Sequence, residues 1–215
     1  MSRTRIKICG ITRVEDALCA AREGADAIGL ICYAASPRAV TIEQAASISN
    51  ALPPFVATVA LFVNAAPTAV DEVIRRVRPS LLQFHGDEDA SYCARFGVPF
   101  LKAIRVGAAM KGDDLLECEA IYHMARALLL DTLSAGVDGV YGGSGHAFDW
   151  NLIPLQMRSR IALAGGLRPE SVAEAVKRIR PWAVDVSSGV EQSKGVKDHA
   201  KIAKFIEEVR NADAG

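Results

Sequence analysis

The feature that most restricts the possible folds is a regular alternation of short apolar segments with amphipathic helical segments along the whole chain. This alternation is typical of an α/β protein, in which a parallel sheet is covered by the helices that join its strands. The predicted strands span Arg5–Ile11, Ala27–Cys32, Phe55–Val63, Leu81–Gly86, Phe100–Val106, Ala127–Thr132, Ile161–Ala164 and Ala183–Val186.

Eight strand–helix units in 215 residues favour a closed (β/α)8 or TIM barrel over an open, doubly wound sheet. The loop after the first predicted strand lacks the Gly-x-Gly-x-x-Gly sequence of dinucleotide-binding sheets, which also counts against the open sheet. No linker-like tract rich in Pro, Gly or Ser divides the chain. We therefore predict a single barrel domain that spans residues 1–215.

Capping residues predict where several helices begin. Thr12 to Glu15 and Thr41 to Gln44 have the spacing of a capping box, in which two side chains three residues apart satisfy each other's backbone N–H groups. Proline is favoured in the first helical turn, and Pro67 and Pro169 stand at that place in two other segments.

One predicted connection differs from the others. Residues 133–149 are rich in glycine and longer than a usual connection, which is typical of a functional loop or a mobile lid. Within it, Gly142–Gly145 lacks the lysine of a P-loop and the spacing of a nucleophile elbow. We interpret that short run as loop flexibility.

Charge and cysteine content exclude several classes of partner. Twenty-five basic residues balance 25 acidic ones and are dispersed, so neither nucleic acid nor an acidic membrane surface is indicated. The five cysteines form no C-x-x-C pair and have no metal-ligand spacing with the four histidines, so we expect reduced thiols and no metal. Without an apolar signal segment or a run of membrane-spanning length, we expect a cytoplasmic protein that binds a small molecule.

Polar residues follow the predicted strands at their C-terminal ends. In a closed barrel all eight ends meet at one mouth, where the active sites of this fold lie. The residues placed there are Cys9, Arg38, Gln83, His85, Arg105, Asp131, Gly165–Gly166, and Asp185 with Ser187–Gly189. A set this polar is not core filling, so we expect it to bind a ligand.

Small residues after the last two strands indicate a phosphate site. Gly165 and Gly166 follow strand seven, and Ser187, Ser188 and Gly189 follow strand eight. Such residues let backbone N–H groups face an anion, and this fold commonly binds phosphate between these two loops. The alternative is that the glycine pair only makes a tight turn.

Asp131 and Cys9 could act as acid and base on a bound substrate. A free aspartic acid has a pKa of about 3.9, so a proton donor of this type needs surroundings that favour its neutral form. A thiol becomes a base once a nearby cation or helix terminus favours its thiolate. The alternatives are a loop-fastening carboxylate for Asp131 and a small core residue for Cys9.

Arg38 and His85 complete the predicted mouth. Arg38 follows Pro37, which restricts its loop, and a guanidinium there could bind a carboxylate through two hydrogen bonds. The alternative for Arg38 is a solvated surface arginine. His85, beside Gly86, is interpreted as a residue that lines the mouth or orients a loop rather than as the principal base.

Several segments of the sequence resemble the phosphoribosylanthranilate isomerase family of tryptophan biosynthesis, in the family's order and from one end of the chain to the other. They are Lys7–Ile11, Ser36–Arg38, Leu82–Gly86, Leu129–Thr132, Gly142–Gly145 with Phe148–Trp150, Leu163–Leu167, and Val184–Glu191 with Lys197–Asp198. The resemblance implies a TIM barrel that carries out an Amadori rearrangement of N-(5-phosphoribosyl)anthranilate to 1-(2-carboxyphenylamino)-1-deoxyribulose 5-phosphate, without a metal or an organic cofactor.

The resemblance also implies a role for individual residues. Asp131 matches the general acid that protonates the furanose ring oxygen, and Cys9 matches the general base that removes the C2′ proton. Arg38 matches the residue that holds the anthranilate carboxylate. The loops with Gly165–Gly166 and Ser187–Gly189 match the phosphate site. Asp185 is a candidate for contact with a sugar hydroxyl. We expect His85, at the mouth, to bind substrate as well.

Two other readings stay open at this stage. One is the related histidine-pathway isomerase, or an enzyme with both substrates; such enzymes usually carry aspartate where this chain has Cys9 and bind a second phosphate after strand three, where Val63–Ala66 stands. The other is a non-catalytic barrel that binds a phosphosugar, which the presence of both proton-transfer residues disfavours. The protein is expected to be a monomer or a homodimer.

Overall fold

The computed structural model describes residues 3–132 and 148–215, and it contains a closed barrel of eight parallel strands in chain order. Each strand pairs with the next, and the first pairs with the eighth to close the barrel. The strands are β1 (Arg5–Cys9), β2 (Ala27–Ile31), β3 (Ala57–Phe62), β4 (Leu81–Phe84), β5 (Phe100–Val106), β6 (Ala127–Thr132), β7 (Ile161–Leu163) and β8 (Ala183–Val186). The predicted TIM barrel is confirmed.

Helices cover the outside of the barrel. Those in the described ranges are α1 (Val14–Glu23), α2 (Ile42–Ala51), α3 (Pro67–Val77), α4 (Ala90–Ala94), α5 (Gly112–Ile121), α6 (Pro169–Ile179) and α7 (His199–Ala214). Between β6 and β7, residues 148–160 form two short 3₁₀ helices, Trp150–Leu152 and Leu155–Arg160, and no α-helix. The rest of that connection, including the predicted loop Gly142–Gly145, lies outside the described residues.

The alternation of side chains along the strands separates an outer core from the barrel interior. On β1, Ile6 and Ile8 are at most 1% exposed and belong to the core between strands and helices. Lys7 and Cys9 alternate with them and therefore face the barrel axis. The barrel interior near the C-terminal end of β1 thus receives polar side chains from a strand that also supplies residues of the apolar core.

Helix starts were predicted with mixed success. The capping box at Thr41 is present, since its hydroxyl accepts the Gln44 N–H and the Gln44 amide oxygen accepts the Thr41 N–H. The box predicted at Thr12 is wrong. Arg13 is the N-cap of α1, and the Thr12 hydroxyl instead donates to the carbonyl of Gly195. A distant contact has replaced the local one.

Two other differences follow from turn geometry. The predicted third strand began at Phe55, but Phe55 is fully exposed with a φ of 73°, and β3 begins two residues later. The preceding prolines cannot donate to a sheet, which keeps this segment a turn. After β8 the chain forms a small antiparallel hairpin, β9 (Glu191–Ser193) and β10 (Val196–Lys197), which the sequence patterns did not predict.

Candidate active site

A pocket opens at the C-terminal ends of the strands, as expected for this fold. It contains about 770 Å³ of empty space, including its open mouth. Its wall includes Cys9, Tyr33, Ser36, Arg38, Gln83, His85, Asp131, Gly165, Gly166, Asp185, Ser187 and Ser188. Cys9 and Asp131, more than a hundred residues apart in the chain, therefore line the same cavity.

The candidate base Cys9 lies beside a buried ion pair. Lys7 faces Asp185 across the β1–β8 seam, and its Nζ is 2.9 Å from an oxygen of Asp185. Gly29, opposite Cys9 on β2, leaves room for both side chains, because a Cβ there would lie 2.7 Å from Cys9 Sγ and 3.0 Å from Lys7 Nζ. A fixed cation therefore adjoins the thiol.

The charges around Cys9 oppose each other. Burial raises the pKa of the Cys9 thiol, and although the positive charge of Lys7 lowers this pKa, it does not outweigh burial and the nearby Asp185 carboxylate. Burial also disfavours charged Lys7, but the attraction of Asp185 and Cys9 leaves its pKa above the ordinary value. The predicted cation is present, yet the thiol stays protonated more firmly than a free cysteine.

The candidate acid Asp131 is held by two contacts. The N–H of Thr132 donates to its Oδ1 at 2.8 Å, and Nε2 of His85 lies 3.2 Å from its Oδ2. The other ring nitrogen of His85, Nδ1, lies 3.0 Å from the amide nitrogen of Gln83. His85 is thus a wall residue joined to Asp131, in agreement with its predicted place at the mouth.

The two predicted phosphate loops meet on one side of the pocket. Gly165 and Gly166, with φ values of 81° and 71°, form the turn after β7, and Ser187 and Ser188 stand opposite them after β8. Gly189 does not line the pocket. It lies against the backbone of Leu167, where a Cβ would overlap the carbonyl, so its missing side chain lets the two loops approach each other.

Arg38 reaches the pocket but is already bonded to a carboxylate of the chain. Its Nε and Nη2 bind the two oxygens of Glu191 at 2.7 and 2.8 Å, and Lys197 Nζ binds the same carboxylate at 3.0 Å. Although burial opposes it, the two cations hold the pKa of Glu191 below its ordinary value. Among the described residues Nη1 of Arg38 has no hydrogen-bond partner, so this nitrogen remains for a ligand.

The structure corrects two expectations for arginine. The alternative of a solvated Arg38 is wrong, because its side chain is 14% exposed. Arg105, placed at the mouth by its position on β5, is not part of the pocket wall and pairs instead with Asp87 in the loop after β4. A residue at the end of a strand can therefore face either the ligand or the rim.

Sequence reasoning gave no role to Glu191 and Lys197. Lys197 is buried, and its Nζ also donates to the carbonyl of Ser187 at 3.0 Å, which fixes the loop after β8. The signal available in the sequence was their place in the last segment that resembled a known family. In residues 3–132 and 148–215 no group of His, Cys, Asp or Glu side chains could hold a metal ion, and no helix there has the length and apolarity needed to cross a membrane.

Comparison with known proteins identifies a family for this architecture. Residues 6–208 match the family model described as N-(5'-phosphoribosyl)anthranilate (PRA) isomerase. The chain is 57% identical over 210 residues to the N-(5'-phosphoribosyl)anthranilate isomerase of Pseudomonas fluorescens strain Pf0-1, an alignment that covers 98% of this chain and all of that protein.

Solved structures give the same result. The crystal structure of phosphoribosyl anthranilate isomerase from Thermotoga maritima is similar with a TM-score of 0.84 and 40% identity, covering 97% of this chain and 99% of that one. A phosphoribosyl anthranilate isomerase in complex with reduced 1-(o-carboxyphenylamino)-1-deoxyribulose 5-phosphate has a TM-score of 0.82 and 39% identity, with the same coverage. The chain therefore belongs to the N-(5'-phosphoribosyl)anthranilate isomerase family.

Proposed function

We propose that this protein converts N-(5-phosphoribosyl)anthranilate to 1-(2-carboxyphenylamino)-1-deoxyribulose 5-phosphate in tryptophan biosynthesis. The observation that carries the proposal is that Cys9 and Asp131 line one pocket together with the two loops suited to phosphate. An aldose–ketose rearrangement needs one group to give a proton and another to remove one. The pocket offers a carboxyl and a thiol for these two tasks.

Asp131 acts first, as the general acid. Its proton passes to the furanose ring oxygen while the C1′–O bond breaks, and the nitrogen lone pair forms the C1′=N bond of an iminium ion. The carboxyl group lies in the pocket wall, where a bound sugar would meet it. The open-chain iminium is then the electron sink for the next step.

Cys9 acts second, as the general base. Its thiolate removes the proton from C2′, and the electrons of the C–H bond form a C1′=C2′ bond while the iminium nitrogen becomes neutral. The resulting enolamine gives the ketone when C1′ gains a proton and the 2′-hydroxyl loses one. The positive iminium adds a second cation beside Lys7, and a nearby cation lowers the pKa of a thiol.

Both ends of the substrate have partners in this assignment. The backbone N–H groups around Gly165, Gly166, Ser187 and Ser188 bind the phosphate. The Nη1 atom of Arg38 binds the anthranilate carboxylate, with Glu191 holding the guanidinium in place. Asp185 accepts a hydrogen bond from a sugar hydroxyl. We also propose that the protein works in the cytoplasm, as a monomer or a homodimer.

The test is a fluorescence assay for consumption of phosphoribosylanthranilate by the unmodified protein and by C9A, D131N and C19A. Because each proton-transfer group typically supplies about 10²- to 10⁴-fold, C9A and D131N should each lose at least about a hundredfold in kcat. Cys19 is also a buried thiol but lies on α1 away from the pocket, so C19A controls for the loss of a sulfur atom. No activity in the unmodified protein, or near-normal kcat in C9A, would contradict the proposal.

A further inference from the structure

The contacts of Asp131 continue along the pocket wall to two further residues. Oδ1 accepts the N–H of Thr132, while Oδ2 faces Nε2 of His85 at 3.2 Å. Behind the imidazole, Nδ1 lies 3.0 Å from Nε2 of Gln83. Gln83 is fully buried, and its Oε1 has no hydrogen-bond partner among the described residues. A buried amide oxygen without a partner is costly, so this orientation of the amide calls for an explanation.

The amide orientation determines where the imidazole carries its proton. When the Gln83 amide nitrogen donates to Nδ1, Nδ1 is an acceptor and Nε2–H donates to Asp131. In that arrangement Asp131 accepts the hydrogen bond as an ionised carboxylate. An ionised carboxylate has no proton to give to the substrate. A 180° rotation of the amide places Oε1 against Nδ1, which then carries a hydrogen. Nε2 can then accept a proton from the Asp131 carboxyl or share one with it.

We propose that His85 and Gln83 keep the catalytic proton at Asp131. The Gln83 amide rotates by 180° when that proton binds to the Asp131–His85 pair. His85 is a positioning residue in this scheme, and it acts through Asp131. The inference rests on the proposed function and adds a residue role to the same site. The proton given to the ring oxygen is replaced by the one that the 2′-hydroxyl releases as the ketone forms, so the isomerisation stays balanced.

Other charged groups surround the His85–Asp131 pair and are kept constant in the test. They are Lys102 and Glu88, bonded to each other at 2.9 Å beside the β4 loop; Arg105, opposite Asp131 on β5 and paired with Asp87; and, across the pocket, Cys9, Lys7, Asp185 and Arg38. Each of these cations has a carboxylate partner of its own. The variants below alter only the side chains at 83 and 85.

Two substitutions separate proton storage from simple hydrogen bonding. H85Q keeps an amide nitrogen that can donate to Asp131 but cannot take up a proton. Q83E places a carboxylate at Nδ1, and an opposite charge favours the protonated imidazole. One limb of the pH profile of kcat is set by the Asp131–His85 pair. We expect this limb to move to lower pH in H85Q and to higher pH in Q83E, each by about one unit. The limb set by Cys9 should stay in place.

The size of the change at one pH gives a second criterion. In H85Q kcat near neutral pH should fall at least about tenfold, while KM changes by less than about twofold, because in this scheme His85 acts on Asp131 and not on the substrate. H123Q is the matched control, since His123 is an exposed histidine after α5 that is not part of the pocket wall. A raised KM with unchanged kcat and unmoved limbs in H85Q would make His85 a substrate contact and overturn the inference.

A spectroscopic measurement on the unmodified protein does not depend on any variant folding. The ¹⁵N chemical shifts of the His85 ring distinguish Nε2–H from Nδ1–H and from the doubly protonated ring. Nδ1 should gain a hydrogen over the same pH range in which the moving limb lies. An Nδ1 without hydrogen throughout that range would refute the scheme, even with normal isomerase activity. Absence of activity in the unmodified protein would instead refute the proposed function.

Discussion

Replacing Gly165 by alanine tests the geometry that joins the proposed phosphate loop to the proposed acid, Asp131. Gly165 has a φ of 81°, a left-handed conformation that L-residues rarely adopt. A Cβ at this position would lie 2.5 Å from the N atom of Thr132 and 3.0 Å from Oδ1 of Asp131. Since atoms in contact are normally about 3.5–4.0 Å apart, the loop must retreat from β6 by roughly 1 Å.

The expected cost has two parts, and another glycine separates them. Left-handed backbone costs alanine about 1–2 kcal/mol, and the forced contact adds about 1–3 kcal/mol of overpacking. Gly97 has a φ of 66° with no atom within 4 Å of an added Cβ, so G97A carries only the backbone part. G165A should therefore be destabilised by about 2–5 kcal/mol and G97A by about 1–2 kcal/mol.

Urea unfolding measures this difference, as a lower midpoint with an unchanged slope. In the isomerase assay G165A should raise KM at least about fivefold, the equivalent of about 1 kcal/mol of lost phosphate binding. Its kcat should also fall, because the displaced loop touches the Asp131 carboxyl. G97A should keep both constants. Equal destabilisation of the two variants, or a normal KM in G165A, would show that this loop does not pack as described.

Two further predictions concern the buried charges. K7M leaves the Asp185 carboxylate without its partner, so the free energy of unfolding should fall by about 3–5 kcal/mol, and K7M/D185N should regain part of it in urea unfolding. Loss of the cation should also move the limb of the pH profile set by Cys9 to higher pH; an unmoved limb would contradict the influence of Lys7. In E191Q, stability at pH 7 should fall by about 3 kcal/mol. Because the pKa of Glu191 is lowered by folding, its contribution is present above about pH 4.3 and lost as the pH falls further. Unfolding midpoints at pH 7 and pH 3.5 should therefore differ less in E191Q than in the unmodified protein, and an equal difference would refute the assignment.

The sequence predicted those parts of the site that follow from strand periodicity. Cys9 and Lys7 are two residues apart on β1, so they share a face whatever else the chain does. Asp131 ends β6, and a closed barrel brings that end to the same mouth as Cys9. Polar residues at alternate positions near strand ends were therefore enough to predict one pocket that contains both.

Contacts between distant loops could not be predicted in this way. The carboxylate that binds Arg38 belongs to Glu191, 153 residues later, in a hairpin with no strand pattern of its own. The same hairpin supplies the Gly195 carbonyl that takes the Thr12 hydroxyl away from the predicted capping box. Local spacing in the sequence indicates which hydrogen bonds a side chain could form. Tertiary packing determines which of these hydrogen bonds is present in the folded protein.

The charges of the pocket also favour an order for the two proton transfers. In the structure the pKa of Cys9 is raised by burial despite the adjacent Lys7, so little thiolate exists before a ligand brings further positive charge. Opening of the furanose ring creates that charge as an iminium ion next to C2′. The same charge weakens the C2′–H bond and lowers the pKa of the thiol that must attack it. In the proposed mechanism base and substrate are therefore activated together, and only after Asp131 has delivered its proton.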